Sequence, residues 1–234
     1  DLKVGLLDLD IYGPSLPVVL GINEQPDLND NRKLIPLESL GMKVMSFGFI
    51  SGNQSPTIWR GPLVARMTEQ FFYDVMWGDL DYLILDLPPG TGDIQLTLTQ
   101  KLKMDGALII TTPQDIALAD VAKGADMFRK VKTPVLGVIE NMSYLENGNE
   151  KLYPFGKGGG EELSKNLGVE FIGSLPLYDS VSKYSEDGKL LEFGGDLQEW
   201  LWEFISLMEV LPLSESEILG FYLPPLIPPP GSSG

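Results

Sequence analysis

The 234-residue sequence contains no cysteine and no histidine. Within this chain that excludes disulfides, thiolate-bound metal clusters, cysteine nucleophiles, imidazole general bases and zinc sites of the usual kind. Positive charge is also scarce. Seventeen Lys and Arg face 33 Asp and Glu, leaving a formal net charge of −16. No Lys/Arg run reaches five residues, and an acidic surface of this size repels nucleic acid and anionic membranes, so neither is an expected partner. No apolar run approaches the ~18–20 residues needed to span a bilayer, and no signal peptide is evident. The lack of cysteine fits a reducing compartment, so the cytoplasm is expected, with an organellar matrix as the other setting. The sequence lacks an initiator Met and opens directly on strand-like residues, which is expected to reflect an incomplete N-terminus.

What is present points to one α/β domain. Hydrophobic residues make up 43% of the chain, enough for a substantial core at this length. Short apolar runs alternate with longer amphipathic stretches, the pattern of βα units around a parallel sheet. Strands are expected at Lys3–Leu7, Lys43–Phe47, Tyr82–Leu85, Ala107–Thr111, Val135–Ile139 and Glu170–Ile172. Helices are expected at Leu63–Met76, Ile94–Leu102, Leu118–Val131, Gly160–Leu167 and Leu197–Val210. From Leu211 the character changes: "LPLSESEILGFYLPPLIPPPGSSG" mixes prolines with apolar residues and ends in Gly and Ser. The domain is therefore taken as 1–210. Residues 211–234 are expected to be a Pro-rich disordered tail, the alternative being a peptide that docks on a partner.

The stretch "LILDLPPGTGDIQL" at 83–96 looks most like chemistry. An apolar strand closing on Asp86 is the pattern in which a carboxylate holds magnesium, usually through a water. Gly90 and Gly92 allow close backbone approach to a terminal phosphate, and Asp93 can cap the following helix. In "LLDLDIYGPS", Asp8 and Asp10 sit at the carboxyl end of a buried strand, where open α/β sheets bind ligands. They could orient a water or touch magnesium, or merely cap the loop. Asn141 follows the strand in "GVIENMS". Its amide offers a donor and an acceptor that match an adenine edge, though it could equally be a turn residue. "FGKGGGEEL" at 155–163 imitates a phosphate loop without being one. It lacks G-x-x-x-x-G-K-[ST], and Glu161 and Glu162 would repel phosphate. It reads as a glycine-rich turn into a helix.

Taken together, "LLDLDIYGPSLP", "MSFGF", "WRGP", "DYLILDLPPGTGDIQLTLTQ", "TTPQDIALADVAKGADMF", "PVLGVIENMSY" and "FGKGGGEEL" run in order from about residue 3 to residue 195. They resemble the Mrp/ApbC branch of the MinD/ParA-like P-loop ATPases, a family of iron–sulfur cluster carriers. The resemblance implies a mostly parallel sheet with helices on both faces, ATP and Mg as ligands, a homodimer, and apo iron–sulfur proteins as targets. It implies that Asp10 positions the attacking water near the γ-phosphate and that Asp86 holds Mg through a water. It further implies that Gly90 senses the γ-phosphate, that Asn141 and Pro176 frame adenine, and that Trp59, Arg60 and the 113–120 loop lie toward the subunit interface.

The sequence departs from the family in three places. The family's first strand and lysine-bearing glycine loop precede the segment that begins here, so the phosphate loop is expected to be missing by truncation. The family's C-x-x-C would fall in "LENGNEKLYP", which has no cysteine, so no iron–sulfur ligands are expected in this chain. An arginine usual near Ser182 is absent. Besides an ATP-hydrolysing cluster carrier, two other readings remain: a non-catalytic remnant or scaffold of the same fold, and a MinD/ParA-like positioning ATPase. The acidic 197–210 stretch does not suit the membrane helix that a positioning ATPase uses.

Overall fold

The computed structural model describes residues 2–11, 13–51, 61–88, 90, 93–148, 150–178, 188 and 217–222. Its centre is an eight-stranded sheet in the order β2-β3-β1-β4-β10-β5-β6-β9. The strands are β1 (Val4–Asp8), β2 (Leu37–Ser39), β3 (Met42–Ser46), β4 (Tyr82–Leu87), β5 (Gly106–Thr111), β6 (Val135–Glu140), β9 (Glu170–Ser174) and β10 (Glu217–Tyr222). A separate exposed hairpin pairs β7 (Leu145–Asn147) with β8 (Glu150–Leu152). Every pairing in the large sheet is parallel except β2 with β3. The carboxyl ends of β1, β3, β4, β10, β5, β6 and β9 therefore share one edge.

The helices are α1 (Leu16–Val19), α2 (Phe47–Ser51), α3 (Gly61–Tyr73), α4 (Asp93–Lys101), α5 (Asp115–Lys130) and α6 (Gly159–Leu167). From β3 through β4, β5 and β6 to β9 the chain always advances the same way across the sheet. Right-handed crossovers then put α3 to α6 on one face, while the β1-to-β3 connection, with the four-residue α1, turns back over the other. The α5 sequence shows why it forms. Ala117, Val121, Ala125 and Phe128 make a buried stripe at helical spacing, with Asp115 in the first turn and Arg129 and Lys130 in the last. That stripe packs on Leu7, Leu85, Ala107, Ile109 and Val138 in one core cluster. Two strand glycines are required by close approach. A Cβ at Gly5 would lie 2.7 Å from Leu80, and one at Gly106 would lie 2.5 Å from Leu136.

The expected strands and helices are found within a few residues of their predicted limits, as far as they fall on described residues; Leu197–Val210 does not. Among the described residues, no helix is long and apolar enough to cross a membrane. The tail expectation needs correction. Glu217–Tyr222 is a strand, paired in parallel with β4 on one side and β5 on the other. Its "EILGFY" sequence is rich in branched and aromatic residues, and β4 and β5 offer it two open ladders. The prolines on either side dominated the compositional reading.

Candidate nucleotide site at the carboxyl edge of the sheet

The register of β1 fixes the first part of the site. Asp8 is the Cα partner of Ser46 on β3 and of Asp86 on β4. Residues paired in this way present side chains to the same face, so Ser46, Asp8 and Asp86 form a polar row across three strands. Asp8 is 1% exposed and well satisfied. Its Oδ2 accepts from Ser46 Oγ at 2.8 Å and from the Leu16 amide at 3.4 Å, and its Oδ1 accepts from the Asp10 amide at 2.9 Å. Burial pushes the Asp8 carboxyl up to about 6, and Asp10's charge adds to this; the hydrogen bonds from Asp10, Ser46 and Leu16 pull the other way.

Asp86 differs in kind. Its backbone carbonyl accepts from the Leu9 amide at 2.9 Å, but nothing in the described hydrogen bonds neutralises its carboxylate. Burial raises it first, then the charges of Asp8 and Asp10, to about 7. Among the described residues no three acidic side chains gather closely enough to form a metal cage by themselves, so Asp86 could offer a hard cation one oxygen ligand, not a full set. Asp10 lies just beyond β1, where its Oδ1 accepts from the Gly13 amide at 3.2 Å. Gly90 follows β4 with φ +93, and open space lies where its Cβ would be. Asp86 thus lies on β4 beside Asp8, while Asp10 and Gly90 follow the adjoining ends of β1 and β4.

The second part lies at the ends of β6 and β9. Asn141 donates its amide to the Thr111 carbonyl at 2.7 Å, and its Oδ1 accepts from the Met142 amide at 2.9 Å. Pro176 is drawn to the same place by backbone bonds on both sides. Ser143 donates to the Leu175 carbonyl at 2.8 Å, and Leu177 donates to the Tyr144 carbonyl at 2.7 Å. The two groups of predicted residues thus occupy one edge, with the ends of β10 and β5 between them.

The glycine run at 158–160 begins α6, as expected, and the structure supplies the reason it is no phosphate loop. Glu140 Oε2 already accepts from the Gly160 amide at 2.6 Å, so a protein carboxylate fills the anion position. Gly159 packs on Pro113, whose carbonyl would be 2.8 Å from an added Cβ. Trp59, Arg60 and Ser182 lie outside the described residues. The segment 113–120, expected as a loop, is mostly helix: α5 starts at Asp115 after the N-cap Gln114.

Sequence reasoning missed Ser46 and Glu140, and gave Asp8 no assigned role although it is the better-anchored carboxylate. A strand one residue longer than expected was the available signal for Asp8. For Glu140 it was an acid ending an apolar strand, with a glycine run downstream whose amides need an acceptor.

Comparison with known proteins defines the class first. A cell-division ATPase MinD from Pyrococcus furiosus shares the fold, with a TM-score of 0.61 at 16% identity, covering 90% of this chain and 86% of that one. A nucleotide-binding protein from Archaeoglobus fulgidus, solved in complex with ADP, has a TM-score of 0.74 at 38% identity and covers 92% of this chain and 81% of its own. The architecture is that of the MinD/ParA-like P-loop NTPases. The model of the ParA family described as NUBPL iron-transfer P-loop NTPase matches residues 1–204, and the chain belongs to that family. An iron–sulfur cluster carrier protein of Aquifex aeolicus is 43% identical over 213 residues, 89% of this chain and 58% of that protein. A mitochondrial iron–sulfur protein of Arabidopsis thaliana, required for NADH dehydrogenase, is 45% identical over 80% of this chain and 61% of its own length. The chain thus spans about three-fifths of these two relatives.

Proposed function

We propose that these residues form the magnesium- and adenine-binding part of an ATP-hydrolysing iron–sulfur cluster carrier that acts as a homodimer. The observation that supports this most is the pairing of Asp8 with Asp86 at the same edge that holds Asn141 and Pro176. Asp86, with no described hydrogen-bond partner for its carboxylate, would hold Mg through a water. Magnesium held there would offset the negative charge that develops on the phosphates. Asp8, fixed by Ser46 and two backbone amides, orients the turn that carries Asp10, and Asp10 would position the attacking water. Gly90 leaves its amide free to approach the terminal phosphate. Asn141 and Pro176 would frame the base. The subunit contact would involve Trp59, Arg60 and the 113–120 segment. The cytoplasm or an organellar matrix is the compartment this role calls for.

Two groups do not fit the residues present. G-x-x-x-x-G-K-[ST] does not occur in the 234 residues, so they contain no lysine-bearing cradle for the β- and γ-phosphates. The cluster, as cargo bound for apo target proteins, finds no thiolate or imidazole here. These facts favour a second reading, a scaffold of the same fold that binds the base and metal without turnover.

Amide NMR with MgADP and with ADP alone tests the first reading. Resonances of Asp10, Asp86, Gly90 and Asn141 should move together, and Asp86→Asn should erase the difference between the two titrations. No movement at either end of the site would defeat it.

A further inference from the structure

We propose that Glu140 is the positioning residue for adenine recognition, a role that rests on the nucleotide reading above. Glu140 closes β6 and is 1% exposed, yet it is a carboxylate. A buried acid persists only where donors converge on it; here two reach the carboxylate and a third reaches the backbone carbonyl of the same residue. Oε1 accepts from Ser143 Oγ at 2.5 Å, Oε2 accepts from the Gly160 amide at 2.6 Å, and the backbone carbonyl accepts from the Leu175 amide at 2.7 Å.

Each partner belongs to a different part of the adenine frame. Ser143 ends the turn that begins at Asn141. Leu175 precedes Pro176. Gly160 is in the first turn of α6, whose amides favour a negative charge. One side chain and its own carbonyl therefore lock the Asn141 turn, the exit of β9 and the start of α6 to one another. The fit is close, since a Cβ at Gly160 would lie 2.9 Å from Glu140 Cβ. Glu140 itself is covered and does not touch the base. Its side chain acts by holding the Asn141 turn, through Ser143, against the start of α6, while its backbone carbonyl keeps the exit of β9 beside them.

A glutamine at 140 could still accept from Gly160 and donate to Ser143 Oγ, because a hydroxyl can reverse its role. Alanine could do neither. The test uses adenosine and guanosine, which need no phosphate site, titrated by NMR into the 234-residue protein and its variants. The native protein should prefer adenosine. Glu140→Ala should lower that preference by about tenfold, the scale of one or two lost hydrogen bonds. Ser143→Ala, a milder change that keeps the fold if Glu140→Ala does not, should lower it by about threefold, and Glu140→Gln should retain most of it. A merely structural latch would reduce Tm in these variants and leave the base preference where it was. An unchanged preference in folded Glu140→Ala or Ser143→Ala overturns the inference. A native protein with no preference would instead remove the adenine reading beneath it.

Discussion

Asp8 and Asp86 stand in register on neighbouring parallel strands, and both carboxyls titrate well above the usual carboxylate range. Among the described residues only one of them is held by side-chain hydrogen bonds. Asp8 takes hydrogen bonds from Ser46, Asp10 and Leu16, whereas Asp86 meets the negative charge of Asp8 and Asp10. Holding both carboxylates charged at these positions is therefore costly to the fold.

That cost has a sign and a pH window. From the ordinary aspartate value of 3.8, burial raises native Asp8 to about 6 and native Asp86 to about 7. Between about pH 4 and pH 7 the native state holds more protons than the unfolded chain, so stability falls as pH rises through that range. The Asp86 shift alone corresponds to ~4 kcal/mol. Thermal unfolding without metal should give a lower Tm at pH 7.5 than at pH 5. Asp86→Asn should flatten the slope and raise Tm at pH 7.5. Millimolar Mg should stabilise the native protein at pH 7.5 far more than at pH 5, and should do little to the variant. A Tm that climbs from pH 5 to 7.5 without metal would contradict the crowding of carboxylates.

Strand β10 makes a second prediction. It lies inside the sheet, bonded to β4 on one side and β5 on the other, so its loss would leave two inner edges without partners. Proline in a central strand removes a ladder hydrogen bond, which is why it is confined to edge strands, strand starts and bulges. Leu219→Pro should therefore lower the denaturant midpoint sharply. The same substitution at Leu226, beyond the strand, should have little effect. Equal midpoints for the two variants would show that the sheet holds together without β10.

The contrast between β10 and the other strands shows what the sequence makes legible. β4 and β5 are continuous apolar runs bounded by polar or glycine-rich turns, and their positions follow from local pattern alone. The burial alternation along β4, with Leu83, Leu85 and Leu87 inward, follows from it too. β10 has the same kind of residues, but its partners lie more than a hundred positions away, and nothing local reveals an open ladder between β4 and β5. The site divides in the same way. Asp10, Asp86, Gly90, Asn141 and Pro176 sit where strand ends put them, and parallel strands gather those ends along one edge. Glu140 also ends a strand, but its place there does not reveal its partners. Its importance arises from Gly160, twenty residues downstream, and from Ser143 and Leu175 converging on it only after folding.

The absence of soft ligands from the sequence gives a third prediction. Anaerobic incubation with iron and sulfide, followed by desalting, should leave the 234-residue protein colourless, since it offers neither thiolate nor imidazole. Replacing Leu145 and Gly148 with cysteine, a C-x-x-C spacing at the start of the exposed hairpin, should allow some brown protein to form. A native sample that retains stoichiometric iron with a charge-transfer absorbance would show that ligation proceeds through oxygen donors after all.

Nucleotide affinity is the decisive measurement for the phosphate end. Asp86 can still engage magnesium, and Asn141 and Pro176 can still meet adenine, but no lysine-bearing loop surrounds the β- and γ-phosphates within these residues. Hydrogen bonds to charged groups contribute about 1.5–3 kcal/mol each. Without several of them, affinity should be lower by about three or more powers of ten, since ~1.4 kcal/mol is tenfold. Calorimetry should therefore detect no tight MgATP binding by the 234-residue protein. Fusing a strand and G-x-x-x-x-G-K-[ST] loop ahead of Leu2 should recover it, provided the added strand can take the place β10 now holds between β4 and β5. The triphosphate should gain far more from the added loop than adenosine does, because only the phosphates meet it. Micromolar MgATP affinity in the unextended protein would mean that its phosphate contacts come from residues other than those assigned here.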